Sequence, residues 1–238
     1  MYKKLFLCIS CLSVTLLQAS DDSLIVGTNA EFPPFTSIEN RVIVGFDIDI
    51  AREVGVRLGK IIQFKDMPFD ALIPDIILGR VDFVAAGMSY TEERAKRVSF
   101  TTPYLSEDPL VIFTSQDITV DNLIDKTVIV VEGFTADVFM SSKPGVNIIR
   151  LPTQPDGFMA LKSGRADAFV TAKSTVDAFC ETQDAVQFHT TLIEGTGETC
   201  ALVVPKNKIK LLKDIQNALD QMKEDGTMAK LKNKWNLQ

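Results

Sequence analysis

Arg94 carries the most specific polar chemistry in the sequence. It follows the small-residue turn Ala86-Gly87-Met88-Ser89 within the run GMSYTEER, and its planar guanidinium offers a two-pronged fork to a carboxylate. The competing reading is an ordinary solvated arginine on the charged helix spelled by Thr91 to Val98. Catalytic constellations are missing by contrast. The single histidine, His189, lies outside that run, and the sequence has no nucleophile elbow, zinc spacing or paired-carboxylate motif. No catalytic residue, metal ligand or cofactor is therefore expected.

Such a fork has to be held by a folded scaffold, and the 238 residues, 46% apolar and 24% charged, suffice for one or two compact domains. The chain is acidic, with 31 Asp and Glu against 25 Lys and Arg. It contains no basic arm, which argues against nucleic acid as a partner. Residues 1–20 differ from the rest: Lys3 and Lys4 precede an apolar stretch from Leu5 to Leu17, then Ala19 and Ser20 before Asp21 and Asp22. That pattern is a cleaved secretory signal, and its apolar stretch is shorter than the roughly 20 residues of a membrane span. A lipid anchor on Cys11 is disfavoured, because the apolar stretch runs on past it. Cys180 and Cys200 then remain in the exported chain, where both a disulfide and a pair of buried thiols stay open.

From Ser23 onward short β-rich runs alternate with helical patterns, the signature of an α/β fold. Leu24 to Thr28 is the first expected strand. Asp47 to Leu58 places Ile50, Ala51, Val54 and Leu58 on one helix face, with Asp47 as the expected cap and Gly59 as the stop. Phe69 to Leu78 repeats the pattern, with Pro74 tolerated near its first turn. Leu211 to Glu224 and Met228 to Trp235 are expected helices separated by Gly226.

The chain also echoes itself. Ile77 to Ser89, ILGRVDFVAAGMS, matches Leu161 to Ser174, LKSGRADAFVTAKS, and Leu24 to Glu31, LIVGTNAE, is answered by Val128 to Thr135, VIVVEGFT. Two lobes built on one βαβ scheme account for the echo. Ligands of open α/β sheets lie beyond the carboxyl ends of the strands. Residues 29–35, 86–89, 132–136 and 171–174 are thus expected to face one cleft. Short connections, with candidates at 106–110 and 193–199, would join the lobes.

These motifs resemble those of the bacterial extracellular solute-binding proteins of family 3. The run Gly45-Phe46-Asp47-Ile48-Asp49-Ile50 matches that family's signature, and further matches follow in order: GTNAEFPPF at Gly27, FDALIP at Phe69, GMSYTEER at Gly87, FTTPYL at Phe100 and DGTMAKLKNKW at Asp225. The resemblance implies a type II periplasmic-binding-protein fold, two α/β lobes joined by a two-strand hinge. Residues 21–105 and 197–238 would form the first lobe and 106–196 the second. It also implies a monomeric periplasmic or extracytoplasmic receptor that hands an amino acid, arginine or another basic or polar one, to the membrane permease of an ABC importer.

The resemblance assigns roles as well. Arg94 would clamp the ligand carboxylate, helped by Ser89 and Thr135. The carbonyls of Ala86 and Gly87 would accept from its ammonium. Phe32 and Phe69 would stack on its side chain, although a phenylalanine is more often core. Phe134 stands where a small hydroxyl residue is common and is expected to narrow or cover the pocket. Two positions depart from the family pattern. Ala172 falls where an aspartate usually meets the ammonium, and Asn29 where several binders of cationic side chains carry an aspartate. Glu31 and Glu132 are the nearby acids available to compensate, each more commonly a solvated loop acid. Two rival functions remain on this scaffold: a dehydratase acting on cyclohexadienyl substrates such as arogenate, and a surface protein that has lost transport.

Overall fold

The computed structural model describes residues 22–182 and 187–237. The expected signal, with Cys8 and Cys11, lies outside the described residues. The strands are β1 (Ser23–Thr28), β2 (Ser37–Glu39), β3 (Val42–Val44), β4 (Ile61–Asp66), β5 (Phe83–Val84), β6 (Val98–Phe100) and β7 (Leu105–Asp108). They continue as β8 (Leu110–Thr114), β9 (Thr127–Val131), β10 (Asn147–Leu151), β11 (Ala168–Ala172), β12 (His189–Leu192), β13 (Glu198–Cys200) and β14 (Val203–Pro205). The helices are α1 (Phe46–Leu58), α2 (Leu72–Ile77), α3 (Glu92–Arg97), α4 (Thr135–Ser141), α5 (Gln154–Lys162), α6 (Lys173–Thr182), α7 (Ile209–Glu224) and α8 (Thr227–Lys234).

Among the described residues, two five-stranded sheets carry the fold, with strand orders β4-β1-β5-β14-β6 and β10-β9-β11-β8-β12. In each, three neighbouring strands run parallel, and the fourth is antiparallel to the third. This common plan explains the internal echo of the sequence. The matched runs that begin at Leu24 and Val128 are β1 and β9, both second in their sheets. Those that begin at Ile77 and Leu161 lead into β5 and β11, both third.

A ladder of β7 against β13 runs antiparallel between the two sheets. The chain passes from β6 through β7 to β8, and returns through β13 to β14, so the fourth strand of the first sheet, β14, comes from a segment about a hundred residues beyond its neighbours. Cys200 is buried on β13 and Cys180 is exposed on α6; they are not bridged to each other. The disulfide reading is therefore set aside, because one thiol lies in the connecting ladder and the other on the outside of the second lobe.

Helix boundaries follow local chemistry. Helix α1 ends at Gly59 in the left-handed conformation, φ 63°, whose N–H caps the helix carbonyls. Gly226, φ 79°, separates α7 from α8 in the same conformation. The expected helix from Phe69 begins as a 3-10 turn, Phe69–Ala71, before α2. The central strands β9, β11 and β8 of the second sheet are buried on both faces, and strand alternation divides their side chains between two clusters. Val128 and Val130 of β9, with Ala168 and Val170 of β11, pack with Ala136 and Met140 of α4. Ile129, Val131 and Phe169 face the other way, towards Phe158 and Leu161 of α5. That second cluster continues into the first lobe through Phe32, Phe69 and Phe134, so the lobes meet in apolar contact.

Candidate functional site

The site begins at the turn after β5. Gly87 has φ 59°, and a Cβ there would lie 2.6 Å from the ring of Phe32, so the close approach of this turn to the β1 loop requires glycine. Asp47 holds the turn from below: its Oδ2 accepts from the Gly87 N–H at 2.6 Å and from the Tyr104 hydroxyl at 2.7 Å. Asp47 is not the cap that its sequence position suggested. The residue before α1 is Gly45, without a side-chain cap, and the Asp47 carboxylate is fully buried. Burial pushes its carboxyl up to about 6, against the opposing pull of the Tyr104 and Gly87 hydrogen bonds. The signal was present in the helical period, since Asp47 shares its face with Ile50, Ala51 and Val54.

Two residues beyond Gly87, Ser89 is buried and its hydroxyl has no hydrogen-bond partner. Thr91 caps α3 by accepting from the Arg94 N–H, which directs the Arg94 side chain back over the turn. Arg94 is 9% exposed, so the solvated reading of this residue does not hold. Its Nη1 donates to the Ser89 carbonyl at 2.8 Å, its Nη2 donates to the Gly133 carbonyl at 2.9 Å, and its guanidinium lies 5.3 Å from the centre of the Phe69 ring. Ser89 and Phe69 belong to the first lobe and Gly133 to the second, so the arginine spans the cleft.

Three rings fill the space beside it. Phe134 sits 4.3 Å from Phe69 and 5.3 Å from Phe32, centre to centre, and all three are buried. At the carboxyl end of β1, Asn29 is buried and donates from Nδ2 to Glu31 at 3.4 Å and to the Met67 carbonyl at 3.3 Å. The Glu31 carboxyl is raised by burial, with Asp66 and Asp156 adding to the shift and Asn29 opposing it. Asp156 belongs to α5 of the second lobe, so acids of both lobes converge on this edge of the cleft.

Of the four stretches expected to share a cleft, three are brought together: 29–35 through Phe32, 86–89 through the Gly87 turn, and 132–136 through Gly133 and Phe134. Ala86 is buried in the Gly87 turn, and Thr135 is half-buried in the first turn of α4. The fourth stretch reaches the space between the lobes through Ser174, which lines a separate cavity with Pro33 and Pro34 of the first stretch, while its hydrogen bonds run away from Arg94. Thr171 donates to Gln154, and Ser174 donates from both N–H and hydroxyl to Asp108, whose carboxyl burial raises. Ala172, at the end of β11, is buried. A cavity of about 630 Å³ opens between the lobes near Pro33, Phe158, Phe179 and Trp235. Arg94 and the three packed rings do not line it. His189 lies exposed on β12, the outer strand of the second sheet.

The model of the bacterial extracellular solute-binding proteins, family 3, matches residues 24–238. The chain belongs to this family. The ABC transporter arginine-binding protein 1 of Escherichia coli (strain K12) is 34% identical to it, over 98% of both chains. Among solved structures, an ancestral arginine-binding protein bound to arginine superposes with a TM-score of 0.86 at 36% identity, covering 90% of this chain and 98% of the other. An ancestral arginine-binding protein bound to glutamine gives 0.85 at 35% identity, covering 91% and 98%. As a family 3 protein the chain has the type II solute-binding fold, which its paired sheets express. Among the described residues no helix is long and apolar enough to cross a membrane.

Proposed function

We propose that the chain is an extracytoplasmic receptor for arginine, or for a closely related cationic or polar amino acid, and that it delivers this ligand to the permease of an ABC importer. The observation that carries the reading is the buried Arg94 fork beside the partnerless Ser89 hydroxyl and the Phe69 ring. A carboxylate entering here gains a charge-assisted, two-point seat. Thr135 adds a donor from the second lobe. Phe32 and Phe69 flank the ligand side chain, and flat cations on such rings gain about 0.5–2 kcal/mol. The acids at the cleft edge, Glu31 with Asp66 and Asp156, favour a cationic end, while Asn29 offers a neutral amide to it. The ammonium falls to the carbonyls of Ala86 and Gly87, since Ala172 supplies no charge.

Further support comes from the relatives, whose names describe arginine-binding proteins and, for the Escherichia coli relative, an ABC transporter component. On this reading residues 1–20 are a signal that exports the chain. The mature protein is a monomer whose lobes, 21–105 with 197–238 and 106–196, close on the ligand without catalysing a reaction. A thermal-shift screen of the twenty amino acids tests it. Arginine should be among the strongest stabilisers, with lysine, histidine and glutamine following, and a clear preference for a dicarboxylate would overturn the assignment. Incubation with arogenate should yield no aromatic product.

A further inference from the structure

Phe134 is an unfavourable residue for its local position. It is the N-cap of α4, with φ −74° and ψ 165°, and makes no side-chain capping bond. Ser, Thr, Asp and Asn are the residues that such a position favours, because their oxygens accept from the exposed N–H groups of the first turn. The ring of Phe134 is nevertheless buried, 6% exposed, and its aromatic partners Phe32 and Phe69 both belong to the other lobe. The residue before it makes the second cross-lobe contact, since the Gly133 carbonyl accepts from Arg94 Nη2. Gly133 reaches that place at φ 77°, where a Cβ would lie 3.7 Å from the Cβ of Asp70.

Gly133 and Phe134 together thus present an acceptor oxygen to the arginine fork and a flat ring to the aromatic walls. Those are the two features the proposed ligand brings. With Phe134 and Phe69 only 4.3 Å apart, centre to centre, no second flat group fits between them, since carbon atoms in contact need about 3.5–4 Å on each side. We propose that Phe134 is an intramolecular competitor of the ligand: its ring occupies the side-chain slot between the lobes, latches them together, and has to leave before an amino acid enters. This inference rests on the ligand seat argued above. Latching multiplies the apparent affinity by the fraction of molecules left unlatched, so a tenfold loss needs about nine molecules in ten latched, and Phe134 thereby sets both the affinity and the minimum side chain that can win the slot.

The test compares wild type with Phe134→Ser and Phe134→Leu. Serine is a favoured N-cap, so Phe134→Ser should fold, which circular dichroism checks. Without added ligand, small-angle scattering should give Phe134→Ser a larger radius of gyration than wild type, with Phe134→Leu between them. Calorimetry with arginine should show Phe134→Ser binding about tenfold or more tighter, the scale expected for displacing a buried phenylalanine ring. Equal radii together with unchanged affinity would overturn the proposal. Weaker arginine binding by Phe134→Ser would overturn it too, because the ring would then be a wall of the ligand site. If Phe134→Ser expands but neither protein binds arginine, the latch stands and the ligand assignment fails.

Discussion

Arg94 shows how one side chain joins sequence chemistry to a tertiary role. Its donors are aimed by the Thr91 cap and by the Ser89 carbonyl of its own turn, while Nη2 reaches Gly133 in the other lobe. On the proposed seat, truncation to alanine should leave the ligand carboxylate desolvated and short of partners, a loss of about 2–5 kcal/mol, or roughly 30-fold to several thousand-fold in arginine affinity. Arg94→Lys should restore only part of this, since an ammonium is a point charge where a planar fork is needed. Calorimetry on the two variants decides the matter. Binding of Arg94→Ala within threefold of wild type would mean that the ligand sits elsewhere. The local setting of Arg94 was legible in the sequence because its turn and its helix cap are contiguous with it; its contact with Gly133, 39 residues away, was not.

Helix α1 works at the next scale, carrying a buried carboxylate under the turn that shapes the site. Because burial raises the Asp47 carboxyl from the ordinary 3.8 to about 6, the folded protein holds this proton more tightly than the unfolded chain does. The associated stability is fully present below about pH 4 and is lost as pH rises through about 6, a change of about 3 kcal/mol at about 1.4 kcal/mol per unit. Asp47→Asn keeps an acceptor for Gly87 and Tyr104 but has no charge to bury. Its stability relative to wild type, from urea unfolding at pH 4, 5, 6 and 7, should therefore climb across that interval and then level off. Parallel curves would show that Asp47 does not titrate there. The boundaries of α1 could be read from periodicity and Gly59, whereas the task of Asp47 depends on Tyr104 and Gly87, which lie 57 and 40 residues further along the chain.

Across the whole molecule, the lobes share one apolar cluster that runs from Val26 and Phe46 in the first, through Phe32, Phe69 and Phe134, to Phe158 and Phe169 in the second. Continuous burial of this kind couples the two lobes, and the β7–β13 ladder ties them covalently and by pairing. Scanning calorimetry should accordingly show a single cooperative transition, with calorimetric and van't Hoff enthalpies in agreement. Arginine at about a hundred times its dissociation constant should add about 2.7 kcal/mol and raise the midpoint. Two resolved peaks, only one of them moved by arginine, would show lobes that unfold independently and a ligand held by one of them.

The elements and their repetition could be read from local sequence: the strand–turn–helix units, the glycine stops at Gly59 and Gly226, and the echo that became equivalent strands in two sheets. These are local or periodic properties, written within windows of a dozen residues, where side-chain spacing alone decides which face is apolar. What those windows do to one another was set by the folded arrangement of the chain. It buried Asp47 under Gly87, kept Cys180 away from Cys200, turned Thr171 and Ser174 towards Gln154 and Asp108, and seated Phe134 between Phe32 and Phe69. Each of those outcomes depends on how segments distant in the chain are set against each other. Contacts across a cleft are made by few residues of ordinary type, so nothing in their own neighbourhood marks them.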